Sequence, residues 1–181
     1  LCMGGFCASL LIPEGLNAQE KNAIEKSAFW GNSEVYLNKQ AFRMFGLIDQ
    51  ALTENPPVPG APMIRKLALY NLDAMLHETR YDDSEPLYDF IASRVNKVIA
   101  DLSNPVKQGM KVYKIYNDGF VARTGSVTLA FDVVRGACKG KNLISDALIQ
   151  QIVDHCDVLF LTHNHGDHVD PVVVQTFLKA G

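Results

Sequence analysis

The chain has 181 residues, of which 48% are hydrophobic and 20% are charged, ordinary proportions for a globular protein with a hydrophobic core. Its formal net charge is -3 and it has no run of Lys or Arg, which argues against a nucleic-acid-binding function. The four cysteines, at positions 2, 7, 138 and 156, are widely spaced and predict neither a disulfide framework nor a C-x-x-C site. We therefore expect one globular unit or two small ones.

The first dozen residues, Leu1 to Ile12, carry no charge. They are too few to span a bilayer, which needs about 20 apolar residues, but they match the apolar region of a secretory signal peptide. Cleavage between Ala18 and Gln19 fits this interpretation, and the Asn-Ala-Gln sequence there resembles signal peptides of the Bacteroidetes. We therefore expect a leader over 1–18 and export to the periplasm. The alternative is a buried N-terminal segment that is not cleaved, in a cytoplasmic protein.

Residues 19–104 show the 3.6-residue period of helices. A first helix, capped by Asn32 or Ser33, should end before Pro56 because prolines remove hydrogen-bond donors and favour extended backbone. The acidic sequence over 81–84 ends a second helix and caps a third. Three apolar stripes predict a small helical bundle or a helical cap, with no evident catalytic group. The stripes are Ala41, Phe45, Ile48 and Leu52; then Ile64, Leu67, Ala68, Met75 and Leu76; then Leu87, Phe90, Ile91, Val95, Val98, Ile99 and Leu102.

After Asn104-Pro105 the period changes from 3.6 to 2, which marks the start of a second region over 105–181. This pattern predicts an antiparallel meander of three strands joined by tight turns. Its parts are a strand ending at Asn117, a turn at Asp118-Gly119, a strand over 120–123, a turn at Thr124-Gly125, and a strand over 127–133.

The rest of this region predicts alternating helices and strands, and therefore an α/β fold. A basic loop over 136–142 leads to a helix that Ser145 caps and that ends at His155. The apolar run over 157–161 predicts a short strand buried on both faces. Asp170-Pro171 then predicts the N-cap and first position of a helix that reaches about Lys179.

The segment that follows this strand has the sequence Thr-His-Asn-His-Gly-Asp-His-Val-Asp over 162–170. Polar side chains at the C-terminal end of a buried strand lie where open α/β sheets bind ligands. A loop can bring the donor side chains at 163, 165, 167 and 168 to one point. In a strand, the side chain at 168 would lie on the face opposite to the other three. Zinc suits imidazole and carboxylate donors best, and iron and manganese are the alternatives. The alternative to a metal site is a polar loop whose histidines are solvated and have no ligand.

The sequence His163-x-His165-x-Asp167-His168 resembles the His-x-His-x-Asp-His motif of the metallo-beta-lactamase fold hydrolases. The resemblance covers residues 109–181 and implies the first part of an αββα sandwich. It also implies that His163 and His165 ligate one zinc ion and that Asp167 and His168 ligate a second. By the same resemblance Asp132, at the end of the third strand, hydrogen-bonds a metal-binding histidine. A simple turn-forming role is the alternative for Asp132.

Two metal ions about 3.5 to 4 Å apart can share a bridging hydroxide and lower its pKa toward neutrality. We therefore predict a hydrolase whose nucleophile is a hydroxide activated by two zinc ions, with Asp167 as the catalytic residue that also orients the hydroxide. The substrate is a small molecule, and its class stays open among lactams, lactones, thioesters and phosphodiesters. The alternative is a helical binding or assembly module whose metal loop is structural or incomplete.

No histidine follows His168, although the resembled family has two more histidines and a bridging Asp as ligands in the half that follows. We therefore expect the natural sequence to extend beyond Gly181, and also upstream of Leu1, because the chain does not start with Met. The 181 residues alone should bind zinc weakly, lack hydrolytic activity, and expose a sheet face that promotes aggregation.

Overall fold

The computed structural model of the chain describes residues 33–77, 85–138 and 141–181. The predicted leader and the acidic turn over 81–84 lie outside these ranges. No described helix is long and apolar enough to cross a membrane. The helices are α1 (Ser33–Glu54), α2 (Met63–His77), α3 (Glu85–Leu102), α4 (Asp146–Val153) and α5 (Pro171–Ala180). The strands are β1 (Lys111–Lys114), β2 (Phe120–Arg123), β3 (Thr128–Phe131), β4 (Ala137–Cys138), β5 (Lys141–Asn142) and β6 (Val158–Phe160).

The apolar stripes predicted for α1 and α3 form the core between these helices. All four predicted positions of α1 are buried, and the seven of α3 are buried or pack against the core. Phe45 of α1 stacks on Phe90 of α3 with 4.8 Å between ring centroids. Helix α1 ends at Glu54, before the prolines, as predicted. These two predictions are confirmed because one wide apolar stripe on each helix meets the other.

The stripe predicted for α2 is wrong in part. Ala68 is buried, but the side chains of Ile64 and Leu67 are 51% and 49% exposed. The buried side of α2 instead runs through Ala68, Leu72 and Met75, at i, i+4 and i+7. Among the described elements α1 is the main neighbour of α2, so only a narrow strip of α2 is covered.

The meander is confirmed as an antiparallel β1–β2–β3 unit, and β6 adds to it parallel to β3, in the order β1-β2-β3-β6. Three features differ from the prediction. Strand β1 ends at Lys114 rather than at Asn117. Strand β3 ends at Phe131 because Asp132 has φ of 46°, outside the extended region. The first turn is centred on Asn117 and Asp118 rather than on Asp118-Gly119, since the N–H of Gly119 donates to the carbonyl of Tyr116.

Both predicted helix caps in the second region are confirmed. The Ser145 hydroxyl accepts from the N–H of Leu148, and the Asp170 carboxylate accepts from the N–H of Val172, with Pro at the first helical position of α5. Helix α4 ends at Val153, two residues before the predicted end. The segment predicted as a loop over 136–142 contains the short β4–β5 ladder.

The two faces of the four-stranded sheet differ sharply. Val121 and Ala130 are fully buried in a core that the sheet shares with all five helices. On the opposite face Val158 and Phe160 are 41% and 47% exposed, so the prediction that this strand is buried on both faces is wrong. Strand β6 pairs with β3 alone in the described sheet, and no described element covers that face. Side chains alternate between faces along a strand, so the apolar residues of β6 are divided between a buried and an open side.

Candidate metal centre

The histidine motif forms a compact loop directly after β6. The N–H groups of His168 and Val169 donate to the carbonyl of His165 at 3.0 and 2.8 Å, and the N–H of His165 donates to the carbonyl of His163 at 3.1 Å. Because the backbone turns here, successive side chains do not alternate between two faces as they would in a strand. The side chains at 163, 165 and 168 therefore lie on one side of the loop.

The three imidazoles are close together. Nε2 of His163 lies 3.0 Å from Nδ1 of His165, and the ring centroids of His163 and His168 are 3.9 Å apart. Two ligand atoms on one tetrahedral zinc ion are separated by about 3.4 Å, given zinc–nitrogen bonds of about 2.1 Å. The 3.0 Å between His163 and His165 is a hydrogen-bond length, about 0.4 Å shorter than the separation of two nitrogens on a shared zinc ion.

Asp132 connects the residue before the motif, Thr162, to the last histidine of the motif, His168. Its side chain is almost fully buried, and it accepts from the N–H of Thr162 at 2.8 Å and from the hydroxyl of Thr162 at 2.7 Å. The same carboxylate lies 3.0 Å from Nδ1 of His168. A carboxylate only accepts hydrogen bonds, so this contact places the ring proton of His168 on Nδ1. The neutral ring then presents the lone pair of Nε2, which is the form that a metal binds.

The other end of the loop is held by a second carboxylate. Asp170 forms a two-pronged ion pair with Arg135, at 2.8 Å from Nε and 3.1 Å from Nη2, and the side chains are 12% and 18% exposed. Asp170 also caps α5 through the N–H of Val172. The loop thus runs between two anchored residues, Thr162 and Asp170. The sequence predicted the cap but not the partner Arg135, which lies 35 positions away.

Nε2 of His168 faces two carboxylates. The Oδ2 atoms of Asp118 and Asp167 lie 3.5 and 3.7 Å from it. Within the described part of the chain, one ligand atom from each of Asp118, Asp167 and His168 falls within 4.8 Å of the others. The sequence predicts Asp118 only as a turn residue, and no local signal identifies it as part of this group, because it is 50 positions from His168.

The electrostatics follow from these contacts. Burial raises the pKa of Asp132, but hydrogen bonds from His168 and Thr162 outweigh it and hold the pKa at about 2. The hydrogen bond to Asp132 raises the pKa of His168, against the effect of burial, and the charges of Asp167 and Asp118 add to the increase. Asp132 is therefore ionised at neutral pH. A metal ion at Nε2 of His168 competes with the second ring proton, so its affinity falls as the pH falls.

A depression of about 520 Å³ lies beside this group. Its polar side is formed by Asp118, Asp132, Thr162 and His168, and its apolar side belongs to the uncovered sheet face, with Phe120 and Phe131. Cavities of roughly 300 to 1,000 Å³ with a few convergent polar groups are typical of small-molecule sites. The depression therefore opens beside Asp118 and His168, two members of the group that could hold a metal ion.

No protein-family model, curated protein or solved structure matches this chain. The resemblance to the metallo-beta-lactamase fold hydrolases therefore rests on the sequence motif alone.

Proposed function

We propose that this protein is a metal-dependent hydrolase of the metallo-beta-lactamase type. His163 and His165 would hold a first zinc ion, and Asp167 and His168 a second. The observation that carries the proposal is the contact of Asp132 with Nδ1 of His168, which leaves Nε2 directed at Asp167 and Asp118. Histidine ligands of metal ions almost always have such a partner on the other ring nitrogen, and a solvated surface histidine has no need of one.

The uncovered sheet face supports the finer fold proposal, an αββα sandwich. The described sheet has helices on one face and exposed Val112, Phe120, Val158 and Phe160 on the other. In a sandwich of two sheets the inner faces are apolar and pack about 10 Å apart. The open face of this sheet has the composition of such an inner face.

The residues of the site divide into distinct roles. Zinc bound there would supply Lewis acidity and a water whose pKa is lowered toward neutrality. Asp167, whose side chain is exposed beside His168, is the proposed catalytic residue that orients the attacking water and accepts its hydrogen bond. Asp132 and Thr162 position His168 and do not touch the substrate. The proposed substrate is a lactam, lactone, thioester or phosphodiester with an apolar part that lies on Phe120 and Phe131.

The test measures metal content and hydrolysis with protein expressed from its natural gene. His163→Ala and His165→Ala should each lose the first metal ion, His168→Ala the second, and Asp167→Ala should lower turnover by orders of magnitude while the first ion is retained. The matched control is His77→Ala, which removes an exposed histidine of α2 paired with Asp73 and should change neither quantity. The substrates tested are one lactam, one lactone, one thioester and one phosphodiester.

The opposite outcome is equally clear. Full metal content in all four motif variants, equal to that of His77→Ala, would mean that the motif is a solvated loop. The protein would then be better described as a helical binding or assembly module without catalysis.

A further inference from the structure

We infer that Asp118, at the tip of the β1–β2 hairpin, is a direct ligand of the second metal ion, together with Asp167 and Nε2 of His168. The inference rests on the proposed metal centre and adds to it a ligand that lies outside the histidine motif. It also specifies the chemistry of that position, which then has two carboxylates and one imidazole.

The distances from His168 to the two carboxylates are too long for hydrogen bonds and are compatible with ligands of a shared cation. Nε2 of His168 lies 3.5 Å from Asp118 and 3.7 Å from Asp167. A charge-assisted hydrogen bond between such groups is about 2.7 to 2.9 Å long, so both separations are too large for one. Ligand atoms on a common tetrahedral ion are about 3.4 Å apart. The two carboxylates are therefore spaced from the imidazole as ligands around one ion.

The hairpin holds Asp118 at this point through its backbone. Asn117 has φ of 49°, a conformation that Asn tolerates better than most residues, and the N–H of Ile115 donates to the carbonyl of Gly119. A Cβ on Gly119 would lie 3.1 Å from the carbonyl oxygens of Asp132 and Tyr116. A side chain at position 119 would require these backbone atoms to shift by a few tenths of an ångström, so glycine favours the close approach of the hairpin tip to Asp132. The residue that orients His168 thus also contacts the turn that carries Asp118.

The charge of the group favours a divalent cation. Two carboxylates beside a neutral imidazole sum to about -2, and they repel each other when no cation is bound. Carboxylate oxygen is a preferred donor for Mn²⁺, whereas imidazole suits Zn²⁺ well. Asp118 should therefore contribute more to the affinity for Mn²⁺ than to the affinity for Zn²⁺.

The experiment is a calorimetric titration of metal-free, full-length protein with Mn²⁺ alone and with Zn²⁺ alone. Loss of partners that only orient a ligand lowers metal affinity by roughly 10- to 100-fold, so loss of a direct ligand in Asp118→Asn should lower Mn²⁺ affinity at least about tenfold. The loss for Zn²⁺ should be smaller. The matched control is Asp73→Asn, because Asp73 is an exposed carboxylate 3.3 Å from a histidine and belongs to no described three-donor group.

Two further variants separate the possible explanations. Asp118→Glu keeps a carboxylate and should bind Mn²⁺ more tightly than Asp118→Asn, whereas a purely structural role in the turn would make the two equal and overturn the inference. Metal-free Asp118→Asn should unfold at the same temperature as the wild type or higher, since it removes a repelling charge. Wild-type metal affinity in Asp118→Asn, with loss in His168→Ala, would refute the role of Asp118 and leave the proposed function standing. Unchanged affinity in both variants would refute both proposals.

Discussion

Asp132 and Thr162 are joined by two hydrogen bonds, from the N–H of Thr162 at 2.8 Å and from its hydroxyl at 2.7 Å. This pair fixes the first residue of the motif loop to the end of β3. The third contact of the same carboxylate, 3.0 Å to His168, fixes the last histidine of the loop. One buried side chain therefore holds the residue before the histidine motif and the last histidine of the motif close together.

Asp132→Asn should lower metal affinity at the second site by roughly 10- to 100-fold, with a milder effect on turnover than Asp167→Ala. The amide of Asn has the same shape as the carboxylate, but its NH₂ group is a donor. It would face one of the donors, on Thr162 or His168, from which the carboxylate accepts a hydrogen bond. Metal titration of the variant is the measurement. Asp157→Asn is the control, because Asp157 also accepts a backbone N–H, from Thr128 at 2.7 Å, at the opposite end of β3. Equal losses in the two variants would contradict the positioning role.

Asp170→Asn should destabilise the fold by about 1 to 3 kcal/mol, because it removes the more buried of the two carboxylates that pair with the largely buried guanidinium of Arg135. Asn is a good N-cap, so the cap of α5 is retained and the variant isolates the ion pair. The control is Asp146→Asn, whose carboxylate binds the same Arg135 at 3.0 Å but is largely exposed, and which should change stability by less than about 1 kcal/mol. Urea unfolding of both variants tests this, and a larger loss in Asp146→Asn would contradict it.

The same ion pair predicts a pH dependence. Burial raises the pKa of Asp170, but the hydrogen bonds from Arg135 outweigh it and lower the pKa below its ordinary value. A lowered folded-state pKa contributes stability that is complete above the unfolded pKa of about 3.9 and disappears as the pH falls through the folded value. The difference in unfolding free energy between wild type and Asp170→Asn should therefore be constant from about pH 5 to 7. It should narrow below about pH 4, and a difference that widens there would be inconsistent with this assignment.

Phe160→Lys should reduce self-association of the 181-residue chain. Phe160 stacks on Phe131 with 5.3 Å between ring centroids, on the sheet face that no described element covers. A lysine there can lay its stem along the face and keep its ammonium group in water, which breaks a continuous apolar patch. Leu178→Lys on α5 is the control, because Leu178 is more exposed but lies outside the sheet. Sedimentation velocity at increasing protein concentration should show less self-association than in the wild type for Phe160→Lys, and no change for Leu178→Lys.

The predicted leader lies outside the described residues and stays a prediction. N-terminal sequencing of the protein from its natural host should find Gln19 as the first residue of an exported, periplasmic form. Retention of residues 1–18 in a cytoplasmic pool would refute export.

Features that depend on near neighbours in the chain could be predicted from the sequence. The stripes of α1 and α3 follow from the 3.6-residue period, and the caps at Ser145 and Asp170 are bonds between a side chain and a backbone two or three residues away. The mixed α/β class and the meander follow from the change of period after Asn104. The candidate metal donors of the motif could also be identified from the sequence, because four donor side chains fall within six residues.

Tertiary structure decided the remainder, because it depends on which distant elements pack together. The parallel pairing of β3 with β6 brings Asp132 to Thr162, and the approach of the hairpin at Gly119 brings Asp118 to His168. How much of α2 and β6 is buried depends on how many neighbouring elements pack against them, and the period of the apolar residues does not predict how many neighbours there are. An apolar residue at the right spacing is equally suited to a covered and to an open face, so only the packing determines which one it occupies.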